Sequence, residues 1–462
     1  MSNGCNQNPI GTCSEAEGIN TTANGTASHA EGITTIANGE ASHAEGIQTA
    51  ASGFASHAEG EGTITGDLLD PAQGRNAHAE GELTTARRRA SHAEGRETSA
   101  FGENSHVEGF RTITGDALDS TQGMNAHAEG EETIARGRAS HAAGRRTRSF
   151  GENSYTEGEG TITGDLLDAT LGRNAHAEGE LTTARRRASH AEGLSTVANE
   201  IASHAEGEET IASGRASHAQ GRLTRALADQ SHAAGLNTMV RVEDVNSHIM
   251  GQNGITNEDH SWFLANESIR AKISGNTGNA CFAGAVSGDS QACDFAEMFE
   301  TVNNEFIDVG FFVTLEGRKI RIASENDDYI LGITSATPFI LAGASELDWK
   351  DRFITDEWGR IQYEEVVTPA KKNEKGIVIP ARTEKKPKLN PNWDPDREYI
   401  PRAKRSEWVA VGLIGQIRVR DDGTCEVNGY CKPNGEGIAT KSDQGYRVME
   451  RTGPNQVLVL VK

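Results

Sequence analysis

An all-β chain is predicted: a repetitive coil of short parallel strands over residues 14–253, then a globular, mostly β domain from residue 294. Three observations predict it. A histidine-containing pentapeptide recurs at fixed spacing, small residues alternate with polar ones inside each repeat, and aromatic and β-branched runs gather after the repeats end.

The bulk properties set the frame. A chain of 462 residues is too long for one ordinary core, so two or more domains are expected. A formal charge of -22 argues against a partner bound by neutralising phosphates, so no nucleic acid is expected. The start, MSNGCNQNPIGTC, has neither a basic run nor an apolar one, and no stretch reaches the ~18 apolar residues that cross a bilayer. No signal peptide and no membrane insertion are expected. The protein would be made in the cytoplasm and reach the outside by lysis or within a particle, with residues 1–13 as an attachment segment. Six cysteines in so long a chain do not make a disulfide framework. Cys5/Cys13 and Cys425/Cys431 are close enough in sequence to bridge, and free thiols are the favoured reading.

SHAEG and its variants place histidines at 29, 43, 57, 78, 92, 106, 127, 141, 176, 190, 204, 218 and 232. Most gaps are 14, and three are 21 once Tyr155 is counted as the missing member. Together they make a superperiod of 49, and residues 75–95 recur unchanged at 173–193. Such self-similarity signifies a solenoid. Within ASHAEGIQTAASGF (41–54), Ser42, Ala44 and Gly46 alternate with His43 and Glu45, which is the period of a strand. Each unit then forms one flattened coil of two short strands, with Ser, Ala, Thr and Gly filling a narrow interior. Coils stacked at ~4.8 Å would span roughly 70 Å. Helix loses, because a glycine every seven residues costs ~1 kcal/mol each time.

The coil is lean. Residues 1–240 hold no Trp, one Tyr and four Phe, and all five Trp lie from 262 onward. An Ala-and-Ser interior cannot alone offset the ordering entropy, so association must supply the rest. The repeats resemble the left-handed parallel β-roll heads of trimeric autotransporter adhesins, whose alternation of small residues matches SHAEGIQTAASG. The resemblance covers about residues 14–253 and implies a homotrimer. His and Glu stand here where such heads place apolar residues, and no membrane-anchor barrel follows.

The histidine column reads first as a hydrogen-bonded seam with its Glu neighbours, within a chain or between chains. A metal or anion held by symmetry-related histidines is the second reading, but no further ligand type recurs at fixed spacing, so no metal site is assigned. Arg87 to Arg89 and Arg185 to Arg187 balance the Glu rows on a solvated face; a polyanion patch is the minor reading. The seven-residue insertions carry Asp67-Leu68-Leu69-Asp70, Asp116-Ala117-Leu118-Asp119 and Asp165-Leu166-Leu167-Asp168. Their leucines are expected to pack against the coil or a neighbouring chain and their aspartates to cap the turn. A calcium site or receptor ridge is the alternative, although two carboxylates fall short of calcium's ~6 to 8 oxygens.

After Gly251 the period is lost and residues 254–293 read as a tapering neck. FIDVGFFVTL, DYILGITSATPFIL, WVAVGLIGQIRVR and QVLVLVK then read as strands. Residues 368–407 hold six of the eleven prolines and many lysines, a long exposed excursion.

At the junction stands ACDFAEMFE (292–300). It resembles the motif of the intramolecular-chaperone autoproteolytic domain of phage pre-neck appendage proteins, a glutamic-type peptidase domain, and the likeness continues through VGLIGQIRVR to cover about residues 275–462. Ala292-Cys293 and Phe295 depart from the usual Gly-Ala and Tyr. The resemblance implies self-cleavage between Cys293 and Asp294, with Asp294 and Glu297 catalytic. It also implies nucleotide-assisted release, although no phosphate loop is visible and no cofactor is assigned.

Peptide hydrolysis needs a base to activate water and an acid to protonate the amine, and two neighbouring carboxyls divide into those roles. Three apart on a helical turn, both would face one way. Glu297 then serves as base and Asp294 as acid, or the reverse, and Glu300 is a third acid or a surface residue. The competing reading is an amphipathic turn with solvated acids. A thiol-driven shift at Cys293 would instead cut after Ala292. The sequence thus predicts a homotrimeric fibre whose C-terminal domain aligns three chains and then severs itself once. That fibre attaches to a host or environmental surface receptor, as a phage or phage-like appendage in the virion or as a structural or adhesive fibre of a bacterial cell or spore surface. A protease or glycan hydrolase acting in trans is the weaker reading, since the repeats offer no singular acid pair.

Overall fold

The structure, a computed structural model, describes residues 5–67, 70, 73–168, 170–286, 293–344, 352–368, 371–372, 378–379, 382–394, 396 and 398–462. It is nearly all β, with no α-helix among the described residues. The chain divides into two compact units, Met1–Ala285 and Val286–Lys462.

In the first unit each coil contributes a five-residue strand such as His43–Ile47 and a two-residue strand such as Ala50–Ala51. Both kinds pair in parallel with the equivalent strand of the next coil, His43 opposite His57 and Ala50 opposite Ile64. The short strands form one 16-stranded sheet. The interior is as narrow as the composition requires: Ser42, Ala44, Thr49 and Ala51 are at most 1% exposed, and their counterparts from Thr21 to Ser247 at most 2%. Little more fits: Val107 takes one alanine position, but a Cβ at Gly32 would stand 2.0 Å from the carbonyl oxygen of Gly46 in the next coil. Interior serines donate to a carbonyl three residues back, as Ser42 does to Gly39 at 2.7 Å.

The ladder runs on past residue 253, where the repeat pattern stops. His248 pairs with Trp262 and Gly251 with Ala265, so the 14-residue step persists although the small residues do not. Ile249 and Phe263 now fill the interior, and an antiparallel hairpin, Ser261–Asn266 with Ile269–Ser274, closes the stack.

The insertions correct one expectation. Their aspartates do cap turns: Asp116 accepts from the Leu118 N–H and Asp165 from the Leu167 N–H, each at 2.9 Å. The leucines do not pack against their own coil, since Leu118 is 96% and Leu167 93% exposed. Asx turns hold the loop without apolar help. Leu68 and Leu69 lie outside the described residues.

In the second unit the predicted strands appear as Phe312–Glu316, Gly332–Thr334, Ile340–Ala342, Trp408–Arg420 and Gln456–Val461. Trp408–Arg420 is the spine. Its first half pairs with Cys293–Glu300 and Gly332–Thr334, and its second half with Gln456–Val461. Phe312, Ile333, Ile417, Val419, Val457 and Val459 form the main core. Cys425 and Cys431 are buried and hydrogen-bonded to one another as free thiols. Part of the proline-rich excursion lies outside the described residues; Arg382–Pro387 within it pairs antiparallel with Tyr363–Thr368, the strand that leads into it.

Candidate self-cleavage site

Residues 293–300 form a strand, not a helical turn. Asp294, Ala296 and Met298 point into the protein at 5%, 0% and 5% exposure, whereas Cys293 and Phe295 are exposed. Period two therefore places Asp294 and Glu297 on opposite faces, about 10 Å apart along the strand. The expectation that both carboxyls face one way is overturned. Alternation of Asp, Ala and Met against Phe and Glu suits a strand as well as a turn, and antiparallel pairing with Trp408–Arg420 decides the matter.

The two stretches quoted for the motif are thereby side by side. Cys293 pairs with Gln416, Asp294 with Gly415 and Phe295 with Ile414, after which a bulge skips Leu413 and Ala296 meets Gly412. The glycines of VGLIG have separate tasks. Gly415, at φ +117, lies against the carbonyl of the Cys293–Asp294 bond. Gly412 leaves room for the acid: a Cβ there would stand 2.9 Å from Asp294 Oδ2 and 2.3 Å from Ile417 Cδ1. The Phe339 N–H donates to the Asp294 carbonyl at 2.9 Å and fixes the residue from its other edge.

Burial pushes the Asp294 carboxyl above the usual carboxylate range, against a smaller opposite pull from its hydrogen bond with Ser335 and its own backbone. Its Oδ2 is buried without a hydrogen-bond partner. Asp294 and Cys293 line a cleft of about 720 Å³ shared with Thr334, Ser335, Gln416 and Arg418. A carboxyl whose acid form burial favours, set beside its own peptide bond and lining a polar cleft, can deliver a proton to the nitrogen of that bond.

The other predicted residues sit apart. Glu297 lies across the strand, near Gly343 and Arg402, whose Nη1 donates to the Gly343 carbonyl at 2.8 Å. Glu300 accepts from Lys319 Nζ at 2.9 Å. Ala292 lies outside the described residues. Sequence reasoning missed Ser335, Gly412 and Gly415. The Gly412 and Gly415 pair was visible in the quoted VGLIG, but Ser335 gave no signal.

Residues 246–456 match the family described as Peptidase_G2, IMC autoproteolytic cleavage domain. The C-terminal part of this chain belongs to that family. Among curated proteins, the pre-neck appendage proteins of Bacillus phages B103 and phi29 are 40% and 37% identical over 169 and 188 residues, which is 37% and 41% of this chain. The putative phage-related protein YobO of Bacillus subtilis strain 168 is 36% identical over 220 residues, 45% of this chain. This chain spans 18–26% of the length of these relatives. Among solved structures, the C-terminal fragment of bacteriophage phi29 gene product 12 aligns over 37% of this chain and all of its own length, at 39% identity and a TM-score of 0.30. The Peptidase_G2 domain contains the whole junction strand and its partner, and so both faces of the Cys293–Asp294 bond.

Proposed function

We propose that this chain is a homotrimeric attachment fibre of a phage or phage-like particle, whose Peptidase_G2 domain guides assembly and then cuts the Cys293–Asp294 bond once. One observation carries the reading: a buried carboxyl with an unpartnered oxygen flanks that bond and opens on a cleft. Water adds to the Cys293 carbonyl carbon, the C–N bond breaks, and the Asp294 carboxyl gives its proton to the departing nitrogen. Glu297 accepts the proton of the attacking water.

Because Glu297 lies on the opposite face of its own strand, the base is supplied by Glu297 of a neighbouring copy. Cleavage thus waits for assembly. Severing the domain afterwards removes the template, and the fibre left behind gains kinetic stability. The kinship with phage appendage proteins supports a place in the virion; a surface receptor is the partner this reading assigns.

The test is to express the full chain beside Asp294→Asn and Glu297→Ala and to measure fragment masses. Fragments of residues 1–293 and 294–462 from the parent, with both variants whole, are expected. A parent that stays whole in its assembled form overturns the reading.

A further inference from the structure

The cleft beside the Cys293–Asp294 bond carries a positive charge that nothing in the chain balances. Its lining includes one acid, Asp294, and two arginines, Arg418 and Arg420. Burial favours the uncharged form of Asp294. Arg420 is already engaged: its Nε donates to the Val309 carbonyl at 2.9 Å, its guanidinium pairs with Asp308, and it lies over the Phe311 ring. Arg418 is not engaged. Among the described residues its side chain has no hydrogen bond, ion pair or ring contact.

That sets Arg418 apart from its neighbours. Every other arginine of the second unit whose side chain is described is held by an acid, a carbonyl, an amide or a ring, except Arg318 in an exposed hairpin turn. A solvated arginine on an open turn needs no partner. One that lines a cleft next to a bond to be cut stands where a negative charge would be stabilised.

Strand geometry puts Arg418 within reach of that bond. Gln416 stands opposite Cys293 in the ladder. Gln416 and Arg418 are exposed whereas Ile417 and Val419 lie in the core, so both side chains leave the face on which Cys293 is exposed. Arg418 is one same-face step, ~7 Å, beyond the residue opposite Cys293. Its long side chain covers that span.

We propose that Arg418 turns its guanidinium to the Cys293 carbonyl oxygen and stabilises the negative charge this oxygen takes on when water adds to the carbon; the inference rests on the cleavage proposed above. Addition turns the C=O into a C–O⁻ centre. Its charge returns to re-form the carbonyl as the C–N bond breaks and the amine leaves with the proton of Asp294. Arg418 gains and loses neither a bond nor a proton, and its guanidinium stays charged throughout. A cation held in place beforehand acts without the reorganisation that solvent would need. Gln416 lies nearer but carries no charge, and Arg420 would first have to leave Asp308.

In the experiment the full chain is pulse-labelled during cell-free synthesis, and the appearance of fragments 1–293 and 294–462 is timed for the parent, Arg418→Ala and Arg418→Lys, with thermal unfolding measured alongside. Arg418→Ala should cut about 100- to 1,000-fold more slowly at an unchanged melting temperature. Millimolar guanidinium ion should speed that variant and leave the parent unaffected, and Arg418→Lys should fall between the two. If Arg418→Ala melts lower than the parent, Arg418→Met, which keeps the aliphatic stem, takes its place, and Arg418→Lys must outpace it. A parent that cuts at this bond with Arg418→Ala keeping pace, or a slow variant that neither guanidinium nor lysine restores, overturns the role of Arg418 and leaves the cleavage standing. A parent that never yields the two fragments overturns both.

Discussion

Gly415 lies so close to the carbonyl of Cys293 that a Cβ at position 415 would stand 2.2 Å from that oxygen. With φ at +117, the position also excludes side chains on conformational grounds. Gly415→Ala should therefore cost the domain about 1–3 kcal/mol and, by shifting the carbonyl of the bond proposed to be cut, slow cleavage about 100-fold. Gly317 separates the two effects, because it has a positive φ of 64 and nothing within 4 Å of its absent Cβ. Gly317→Ala should lose stability alone. Thermal unfolding and the rate of fragment appearance measure the two quantities, and equal loss of cleavage in both variants would refute the contact.

Ser335 hydrogen-bonds the Asp294 carboxyl and draws its pKa down, against the larger upward push of burial. In Ser335→Ala the upward push is opposed only by the residue's own backbone hydrogen bond. If protonated Asp294 donates to the leaving nitrogen, cleavage fails as pH rises through its pKa, so the falling limb of the pH–rate profile should move to higher pH. A limb that stays in place or moves down removes Asp294 as the acid.

Asp294 also bears on stability. Its folded pKa is raised, so the stability it contributes is present below the unfolded value near 3.8 and is lost as pH rises through the folded one. Asp294→Asn should therefore melt higher than the parent at pH ~7, by an amount that shrinks below pH ~4. Calorimetry across that range checks the sign.

The roll was legible because its cause is local. A fixed step of 14, small residues at alternate positions and recurrent glycine specify coil, interior and turn without reference to distant residues. The site was legible only as a motif. Whether DFAEMFE forms a turn or a strand depends on Val411 to Gln416, more than 100 residues away, and the niche of Asp294 depends on a bulge at Leu413 that no local pattern announces. The exposed Leu118 and Leu167 show the converse, for apolar residues in a loop predict packing against their own coil where Asx turns hold the loop without it.

Opposite faces for Asp294 and Glu297 make a prediction about mixtures. Chains carrying Glu297→Gln keep the acid and lack the base, and chains carrying Asp294→Asn keep the base and lack the acid. Neither should cut alone. Co-assembled, the Glu297→Gln chains should be cut by the glutamate of their neighbours and the Asp294→Asn chains should not. Mass spectrometry of differently tagged chains reads this directly. Silence in mixed trimers would mean that both acids act within one chain.

The histidine column makes the roll sensitive to acid. Burial first, and then neighbouring imidazoles where they stack closely, hold His57, His92, His127, His190, His204, His218 and His232 below the ordinary histidine value. The facing carboxylates, Glu45, Glu80, Glu108, Glu129, Glu192 and Glu206 among them, pull the other way without prevailing. A depressed folded pKa means that the stability is fully present above the unfolded value near 6.5 and is lost as pH falls through the folded one. Glu59, pushed up to about 7 by hydrogen bonds with Glu80 and Glu45, and Glu94, raised by burial, act in the opposite sense. Seven histidines outweigh those two carboxyls. The melting temperature of the full chain, followed by the β-sheet signal in circular dichroism, should be level at pH ~7.5 and fall steadily between ~6.5 and ~5. A melting temperature that rises across that interval would show that the column is charged in the folded state, and the neutral stack would have to be abandoned.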